Sequence, residues 1–216
     1  MMEDRFSGPY DAALHLLDRQ VVDCDGLLVC KVDDLELEER PGGLYATGIL
    51  VGRTALIPRL TGALGQRSLH FWRRMGDEQG DRTDPYRIAF EDVTEVTTIV
   101  RLRRPRHALL ERTRPARRMR ELLELDVRNG RGENRGSVLD VRLDGDHRVT
   151  GFIIGSGRPG SLLGYDRDSE RGPWLVAVVV RWLHRHAGFV PIDEAEVAWE
   201  TGQLIIDGDL EPLRPA

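Results

Sequence analysis

One run of residues has the spacing of a nucleotide-binding loop. Gly155-Ser156-Gly157-Arg158-Pro159-Gly160 follows the G-x-G-x-x-G pattern that holds a pyrophosphate where a helix begins. That site needs a helix to start at once, and Pro159 and Gly164 oppose one. The stretch Leu175–Val180, about 20 residues further on, also lacks the acid that would bind the ribose. We interpret the run as a loop and expect no cofactor.

Histidines, cysteines and a group of acids are the side chains able to bind a metal. His184 and His186 are two residues apart, so on a helix they point in different directions and cannot chelate one ion. We expect Cys24 and Cys30 to be reduced thiols in the core. The acids lack the loop of a calcium site, and we expect them to form the solvated face of a hairpin. They are Asp23, Asp25, Asp33, Asp34, Glu36, Glu38 and Glu39. These patterns predict no metal site. Because the sequence also lacks the G-x-S-x-G, P-loop and H-E-x-x-H motifs, it predicts no catalytic residues.

The positive charges concentrate in one stretch of the chain. The net charge is -5, yet residues 101–120 contain nine arginines and one acid, Glu111. Seven of these arginines are candidates for contact with nucleic acid or another anion. They are Arg101, Arg103, Arg104, Arg106, Arg114, Arg117 and Arg118. Because no aromatic side chain lies among them to stack on a base, we favour an Arg/Pro-rich linker exposed to solvent over a nucleic-acid site.

The chain resembles itself at a nearly constant offset. Leu16–Val22 resembles Leu122–Arg128, and Val32–Leu37 resembles Val138–Leu143, both 106 residues further on. Two more pairs keep the same order at offsets of 103 and 102. They are Thr47–Gly52 with Thr150–Gly155 and Phe90–Val93 with Ile192–Ala195. Collinear matches of this kind predict a duplicated module of about 90 residues.

Each copy carries signals for short strands and one helix. Turn residues separate two β-rich runs in both copies, which predicts a hairpin in each. The hairpins are Val29–Leu37 with Leu44–Val51 and Val138–Leu143 with Val149–Ile154. The runs Val93–Leu102 and Val197–Ile206 are also predicted to be β, the second with a turn at Thr201-Gly202. Helices are predicted over Leu60–Met75 and Pro173–His186. These elements predict a mainly β protein of two small antiparallel β-barrels in tandem, each with a short helical insert.

The repeated pattern resembles the PRC-barrel family, named for the cytoplasmic domain of the photosynthetic reaction centre H subunit. The family opens with Leu, a polar stretch, Val, Asp and a turn Gly, followed by Gly-x-Val-x-Asp. In this chain that pattern appears as Leu17–Asp23, Gly26 and Lys31–Asp34, and in the second copy as Gly136–Asp140. Cys30 stands where the family usually has Gly. The family's apolar-Pro-apolar-acid strand entry appears as Val190–Asp193, whereas Ile88–Glu91 lacks the proline.

The resemblance implies small barrels that bind other macromolecules and carry no catalytic machinery. In the reaction centre such a barrel packs on membrane protein subunits, and in the ribosome maturation factor family its C-terminal relative docks on a ribosomal protein. We therefore expect a first PRC-like barrel in residues 1–104, an Arg/Pro-rich linker in residues 105–119 and a second barrel in residues 120–216.

The expected function is that of a cytoplasmic, non-enzymatic adaptor for an unidentified protein partner, without a transmembrane segment. Aromatic side chains and one arginine of the predicted helices are the candidate contacts. They are Phe71, Trp72, Trp174, Arg181 and Trp182. Four alternatives stay open. The first is a ribosome- or RNA-associated assembly factor that uses the Arg-rich linker, and the second is a membrane-peripheral accessory subunit. The third is a homo-oligomer, and the fourth is an enzyme with a site between the barrels.

Overall fold

The computed structural model divides the chain into two compact units. It describes residues 8–51, 84–108, 111–156, 187–208 and 210–212. Unit 1 comprises residues 17–41 and the described part of 45–120. Unit 2 comprises residues 8–16, 42–44 and the described part of 121–212. The helices predicted over Leu60–Met75 and Pro173–His186 lie outside the described residues.

Both units are mainly β. The strands are β1 Tyr10–Asp11, β2 Gln20–Val22, β3 Leu28–Lys31, β4 Asp34–Arg40, β5 Gly43–Val51, β6 Tyr86–Ala89, β7 Val93–Val96, β8 Ile99–Leu102, β9 Glu111–Arg112, β10 Arg117–Arg118, β11 Asp126–Asn129, β12 Asn134–Leu143, β13 Val149–Gly155, β14 Gly188–Pro191, β15 Ala195–Ala198, β16 Gln203–Ile206 and β17 Glu211–Pro212. The helices are α1 Ala12–His15 and α2 Met119–Leu123, with short 3-10 helices at Phe90–Asp92, Arg106–Ala108 and Ile192–Glu194.

Unit 2 is one sheet with β13 near its middle. The strand order is β15-β16-β11-β12-β13-β14-β17, and β1 pairs with β12 off this path. All side chains of β13 are buried except Thr150, because β12 and β14 flank the strand and its run is almost continuously apolar. The second half of β12, Val138–Leu143, is buried on both faces, since α1 and β1 pack against it. Phe152, Leu139 and Leu143 are among the fully buried side chains of unit 2.

Unit 1 places its strands in two sheets, of order β3-β2-β8-β7 and β10-β4-β5-β6-β9. The break between them falls at Val32 and Asp33, which separate β3 from β4. In unit 2 the chain at the corresponding place runs on as β12, with a register shift between Val138 and Asp140. Val32 and Val138 are both fully buried. The same local irregularity therefore ends a strand in unit 1 and bulges a strand in unit 2.

The pairings follow the same order in both units. β2 runs antiparallel to β3 and parallel to β8, as β11 runs antiparallel to β12 and parallel to β16. A 3-10 helix precedes β7 and another precedes β15. The short strands β9 and β17 pair with β6 and β14. Among the described residues no pairing joins the two ends of a sheet, so the closed barrels stay a prediction.

The second predicted hairpin is confirmed as β12 paired with β13. The first is confirmed only in part, because the predicted strand Val29–Leu37 is divided between β3 and β4 and only β4 lies beside β5. The run Val93–Leu102 forms two strands, β7 and β8, because the chain turns at Thr97 and Thr98. The stretch expected to be a linker, residues 105–119, contains β9 and β10, which pair with β6 and β4. The domain boundaries otherwise stay a prediction. No helix within the described ranges has the length and apolar character that a membrane crossing requires.

Candidate functional site

The aromatic contacts predicted from the sequence lie outside the described residues. They are Phe71, Trp72, Trp174 and Trp182, together with Arg181. The same holds for His184, His186 and residues 157–160 of the glycine-rich run. Their proposed roles stay predictions, and the candidate site is built from the residues that the structure describes.

The seven arginines predicted to contact anions have different surroundings. Arg101 pairs with Glu95 at 3.2 Å, and Nε and Nη2 of Arg104 donate to the two carboxylate oxygens of Asp92. Hydrogen bonding to that carboxylate raises the pKa of Arg104. Arg117 and Arg118 form β10, opposite Leu37 and Glu36 of β4, and the remaining three are exposed. Those three are Arg103, Arg106 and Arg114. Four of the seven therefore contribute to the structure of unit 1.

A buried carboxylate fixes the turn between β2 and β3. Asp23 is 1% exposed, and its Oδ1 accepts hydrogen bonds from the backbone N–H of Asp25 and Leu27 at 3.0 and 2.9 Å. Its Oδ2 accepts one from the N–H of Arg106 at 3.1 Å. Burial raises the pKa of Asp23, but these backbone hydrogen bonds outweigh it, so the pKa lies below its usual value. The turn is thus a fixed part of unit 1.

This turn presents two leucines to solvent. Leu27 is 48% exposed and Leu28 is 57% exposed. Leu28 begins β3, the outer strand of its sheet, which has one edge without a partner strand among the described residues. An open strand edge beside exposed apolar side chains is typical of a surface that adds a strand from a partner. We call residues 27–31 the Leu27 edge.

The corresponding turn of unit 2 is polar. Asn129 takes the place of Asp23, and its Oδ1 accepts hydrogen bonds from the N–H of Arg131 and Glu133 at 3.1 and 2.9 Å. Glu133 and Asn134 stand where unit 1 has Leu27 and Leu28, and both are exposed. The two turns have the same geometry, so the exposed leucines are a property of unit 1 that the turn itself does not require.

Two expectations about side chains in this region are wrong. Cys24 is exposed and Cys30 is half-buried, whereas both were expected in the core. Burial raises the pKa of the Cys30 thiol to about 12. Asp23 and Asp34 are buried instead of solvated, because each carboxylate accepts backbone N–H groups that a purely apolar core would leave without acceptors. Glu38 and Glu39 are exposed, as expected.

A second buried carboxylate holds the N-terminal segment of unit 2. We call residues 10–16 the first leader. Asp140 is fully buried, and its Oδ1 accepts hydrogen bonds from the N–H of Ala13 at 2.6 Å and of Val141 at 2.7 Å. Its Oδ2 accepts one from the N–H of Leu14 at 2.9 Å. Ala13 and Leu14 lie in the first turn of α1, where N–H groups lack acceptors within the helix. Asp140 therefore serves as the cap of a helix that is remote in sequence.

Further contacts of the first leader surround this carboxylate. Asp11 forms a buried ion pair with Arg142 at 2.8 Å, and the two residues are also opposite in the pairing of β1 with β12. The guanidinium of Arg142 lies 4.9 Å from the ring centroid of Phe189. The hydroxyl of Tyr10 is 2.7 Å from Nδ1 of His147. We call Asp140, Arg142 and Leu143 the Asp140 site.

Unit 1 contains the same arrangement with the opposite charges. Residues 117–120, the second leader, pair through β10 with β4, and the N–H of Arg120 donates to Asp34 Oδ1 at 3.2 Å. Asp34 is 2% exposed. Arg118 stands opposite Glu36, whereas Asp11 stands opposite Arg142 in unit 2. Each leader therefore carries the charge that fits the strand on which it lies.

The buried carboxylates make stability depend on pH. Burial raises the pKa of Asp140 to about 7, with repulsion from Asp11 adding to the rise and three backbone N–H groups opposing it. Burial raises the pKa of Asp34 to about 6, against the N–H groups of Leu35 and Arg120 and nearby arginine charges. Both values exceed the ordinary 3.8, so the folded protein binds more protons than the unfolded chain. The free energy of unfolding should therefore fall as pH rises from about 4 to about 7.

We expect Asp140→Asn to flatten this dependence. One pKa unit corresponds to about 1.4 kcal/mol, so a rise of this size contributes a few kcal/mol across the window. The lowered pKa of His147, caused by burial, acts in the opposite direction below pH 6.5 and is present in both proteins. Chemical denaturation at pH 4.5, 6 and 7.5 measures the slope, with Asp126→Asn at an exposed position of β11 as control. Equal slopes for wild type and Asp140→Asn would show that Asp140 does not titrate in this range.

One cleft in unit 1 is lined by charged side chains. It has a volume of about 390 Å³ and lies beside β4, β6 and β9. Its lining includes Glu36 and Arg87, which already form an ion pair with each other. Within the described ranges, no three histidine, cysteine or carboxylate side chains are placed to hold a metal ion. The cleft therefore offers charges that are largely satisfied by their neighbours.

Comparison with known families finds a match in the second half of the chain. Residues 115–197 match the model of the PRC-barrel domain. Residues 115–197 are thus similar to a PRC-barrel domain, a type of domain that is generally non-catalytic, and the described residues are mainly β. The matched range begins just before the second leader and ends in β15. No curated protein matches the sequence.

Proposed function

We propose that the chain is a non-enzymatic adaptor made of two PRC-barrel modules, with the Leu27 edge as its contact for a partner protein. The family match supports the module in the second half. The repeated order of pairings in unit 1 supports a second copy of it. The observation that carries the adaptor role is the exposure of Leu27 and Leu28 beside the open edge of β3.

The buried carboxylates support a binding role over a catalytic one. Asp23, Asp34 and Asp140 accept hydrogen bonds from backbone N–H groups of the chain itself. Their oxygens hold turns and leaders in place, which is a structural task. A cytoplasmic location belongs to the same proposal.

The Leu27 edge suits an extended segment of a partner. Main-chain hydrogen bonds along β3 would supply affinity, and side chains at alternate positions would supply specificity. Full burial of a leucine contributes roughly 1.5–3 kcal/mol, and each leucine here is already about half buried, so each adds about 1 kcal/mol. Loss of both leucines should weaken binding by a factor of about 30.

Photo-crosslinking in the native cell tests this proposal. A photoreactive amino acid replaces Leu28 in one variant and Asn134, its polar counterpart in unit 2, in a matched control. We expect a defined protein adduct at position 28, identified by mass spectrometry, that is absent at position 134 and several-fold less abundant when Leu27→Ser is added. Affinity for the purified adduct protein should then fall about 30-fold in Leu27→Ser/Leu28→Ser. Equal adducts at both positions, or an unchanged affinity, would contradict the proposal.

An RNA-associated role is a second candidate, supported by the exposed side chains of Arg103, Arg106 and Arg114. Binding of this kind weakens steeply with salt, because phosphate contacts release counterions. Replacing the three arginines by Gln should remove RNA binding and leave the protein adduct at position 28 unchanged. Absence of RNA binding at low salt would eliminate this candidate. A peripheral membrane role remains a proposal drawn from the sequence.

A further inference from the structure

We propose that the first leader can be supplied by a second copy of this chain, giving a dimer in which two copies exchange residues 10–16. The proposal goes beyond the adaptor role and does not depend on it. It rests on three observations. These are the contacts that hold the first leader on unit 2, the charges that select this leader for the Asp140 site, and the backbone conformation at Asp18, which follows the leader.

The attachment of the first leader is confined to unit 2. Its strand pairs with β12, its helix N–H groups bind Asp140, and Asp11 binds Arg142. The boundary between the units falls directly after it, between Leu16 and Leu17. All these contacts can be made equally well by residues 10–16 of another copy, so exchange conserves them. This is the condition under which reciprocal exchange forms dimers at low energetic cost.

The charges specify which leader fits. Asp11 would meet Glu36 if the first leader lay on β4 of unit 1, and Arg118 would meet Arg142 if the second leader lay on the Asp140 site. Like charges directly opposite each other in a strand pair are destabilising. The leader that suits the Asp140 site is therefore residues 10–16, and a second copy of this chain provides that segment.

The connection between the first leader and β2 is strained. Asp18 has a φ of +66°, a left-handed conformation that Asp adopts more readily than most residues but at a higher free energy than Gly. Glu124, at the matching place after the second leader, is not among the residues of positive φ. A short, strained hinge favours exchange, because opening it relieves the strain. The strain therefore points to the first leader as the one that exchanges.

Charge reversal tests the exchange directly. Asp11→Arg places an arginine opposite Arg142, and Arg142→Asp places an aspartate opposite Asp11, so each variant repels its own leader. When the two variants are refolded together, exchange restores an opposite pair at both sites of the mixed dimer. We expect size-exclusion chromatography with light scattering to show a dimer in the mixture, at least tenfold more abundant than in either variant alone. A mixture that only sums its two components would overturn the proposal.

Hinge variants give a second measurement that leaves the Asp140 site intact. Wild type refolded at increasing concentration under reducing conditions should show a rising dimer fraction.

Asp18→Gly relieves the strain in the monomer and should weaken dimerisation by about tenfold or more, since each dimer contains two hinges. Asp18→Asn removes the charge alone, and its dimer fraction should stay close to that of wild type, because Asn and Asp tolerate the left-handed conformation equally. Asp18→Pro cannot adopt a positive φ and should favour the dimer. If wild type and Asp18→Pro are both monomeric at every concentration, the proposal is wrong.

Discussion

Gly151→Ala is expected to lower the free energy of unfolding of unit 2 by about 3 kcal/mol or more. Gly151 lies in β13, opposite Pro191 of β14. A Cβ at this position would lie 2.5 Å from Cζ of Phe189 and closer still to the carbonyl oxygen of Val190. The carbonyl belongs to a paired strand and cannot move without breaking the pairing of β13 with β14. Thermal and chemical denaturation of the purified variant measure the loss.

Gly48 provides the matched control for this substitution. It occupies the same place in unit 1, opposite Ala89, but a Cβ there would be 3.0 Å from the carbonyl oxygen of Ile88 and 3.1 Å from the Arg87 side chain. Both contacts are only a few tenths of an ångström too close, so a small shift of β6 and of the Arg87 side chain is enough to relieve them. Gly48→Ala should therefore cost about 1 kcal/mol or less. Equal losses in the free energy of unfolding at both positions would show that the loss comes from the general strand propensities of Gly and Ala. The close approach at Gly151 would then not be its cause.

The second large effect is expected for Asp140→Ala, at about 2–4 kcal/mol. The substitution leaves the buried N–H groups of Ala13 and Leu14 without their acceptor, at roughly 1–3 kcal/mol for each such group. It also removes the desolvation cost of the carboxylate, which limits the net loss. Because the leader loses its anchor, hydrogen exchange at residues 12–14 should accelerate far more than exchange in β16.

Asp146→Ala, at an exposed position in the turn before β13, is the control for removing an acid from unit 2. It should change stability by less than about 0.5 kcal/mol. If Asp140→Ala stays within the same limits, and exchange at residues 12–14 is unchanged, then Asp140 does not hold the leader.

The hairpins could be predicted because their signals are local. β12 and β13 combine apolar residues with the turn former Asp144-Gly145-Asp146 between them, and the strands appear within a few residues of the predicted bounds. The repeat was predicted for the same reason, since apolar positions and turns recur at nearly constant offsets. Sequence signals of this kind report on strands that pair with their neighbours in the chain.

The leaders could not be predicted, because their partners are distant in sequence. A strand of two residues such as β1 or β10 shows no periodicity. Asp140 illustrates the same limit. An acid between apolar residues indicates a solvated face, and its burial depends on N–H groups of Ala13 and Leu14, 127 and 126 residues away. The exposed leucines at positions 27 and 28 were equally hidden, since a leucine beside a strand usually points to the core.

The distance in sequence between the first leader and its strand constrains how the chain can fold as it is synthesised. Tyr10 leaves the ribosome more than a hundred residues before its partners. These are Leu143, with which it pairs, and His147, which its hydroxyl contacts. Until then the leader has no strand on which to settle, while unit 1 can already assemble its own sheets. The first leader therefore waits for a strand made long after it, and contacts that span so much of the chain make folding slow.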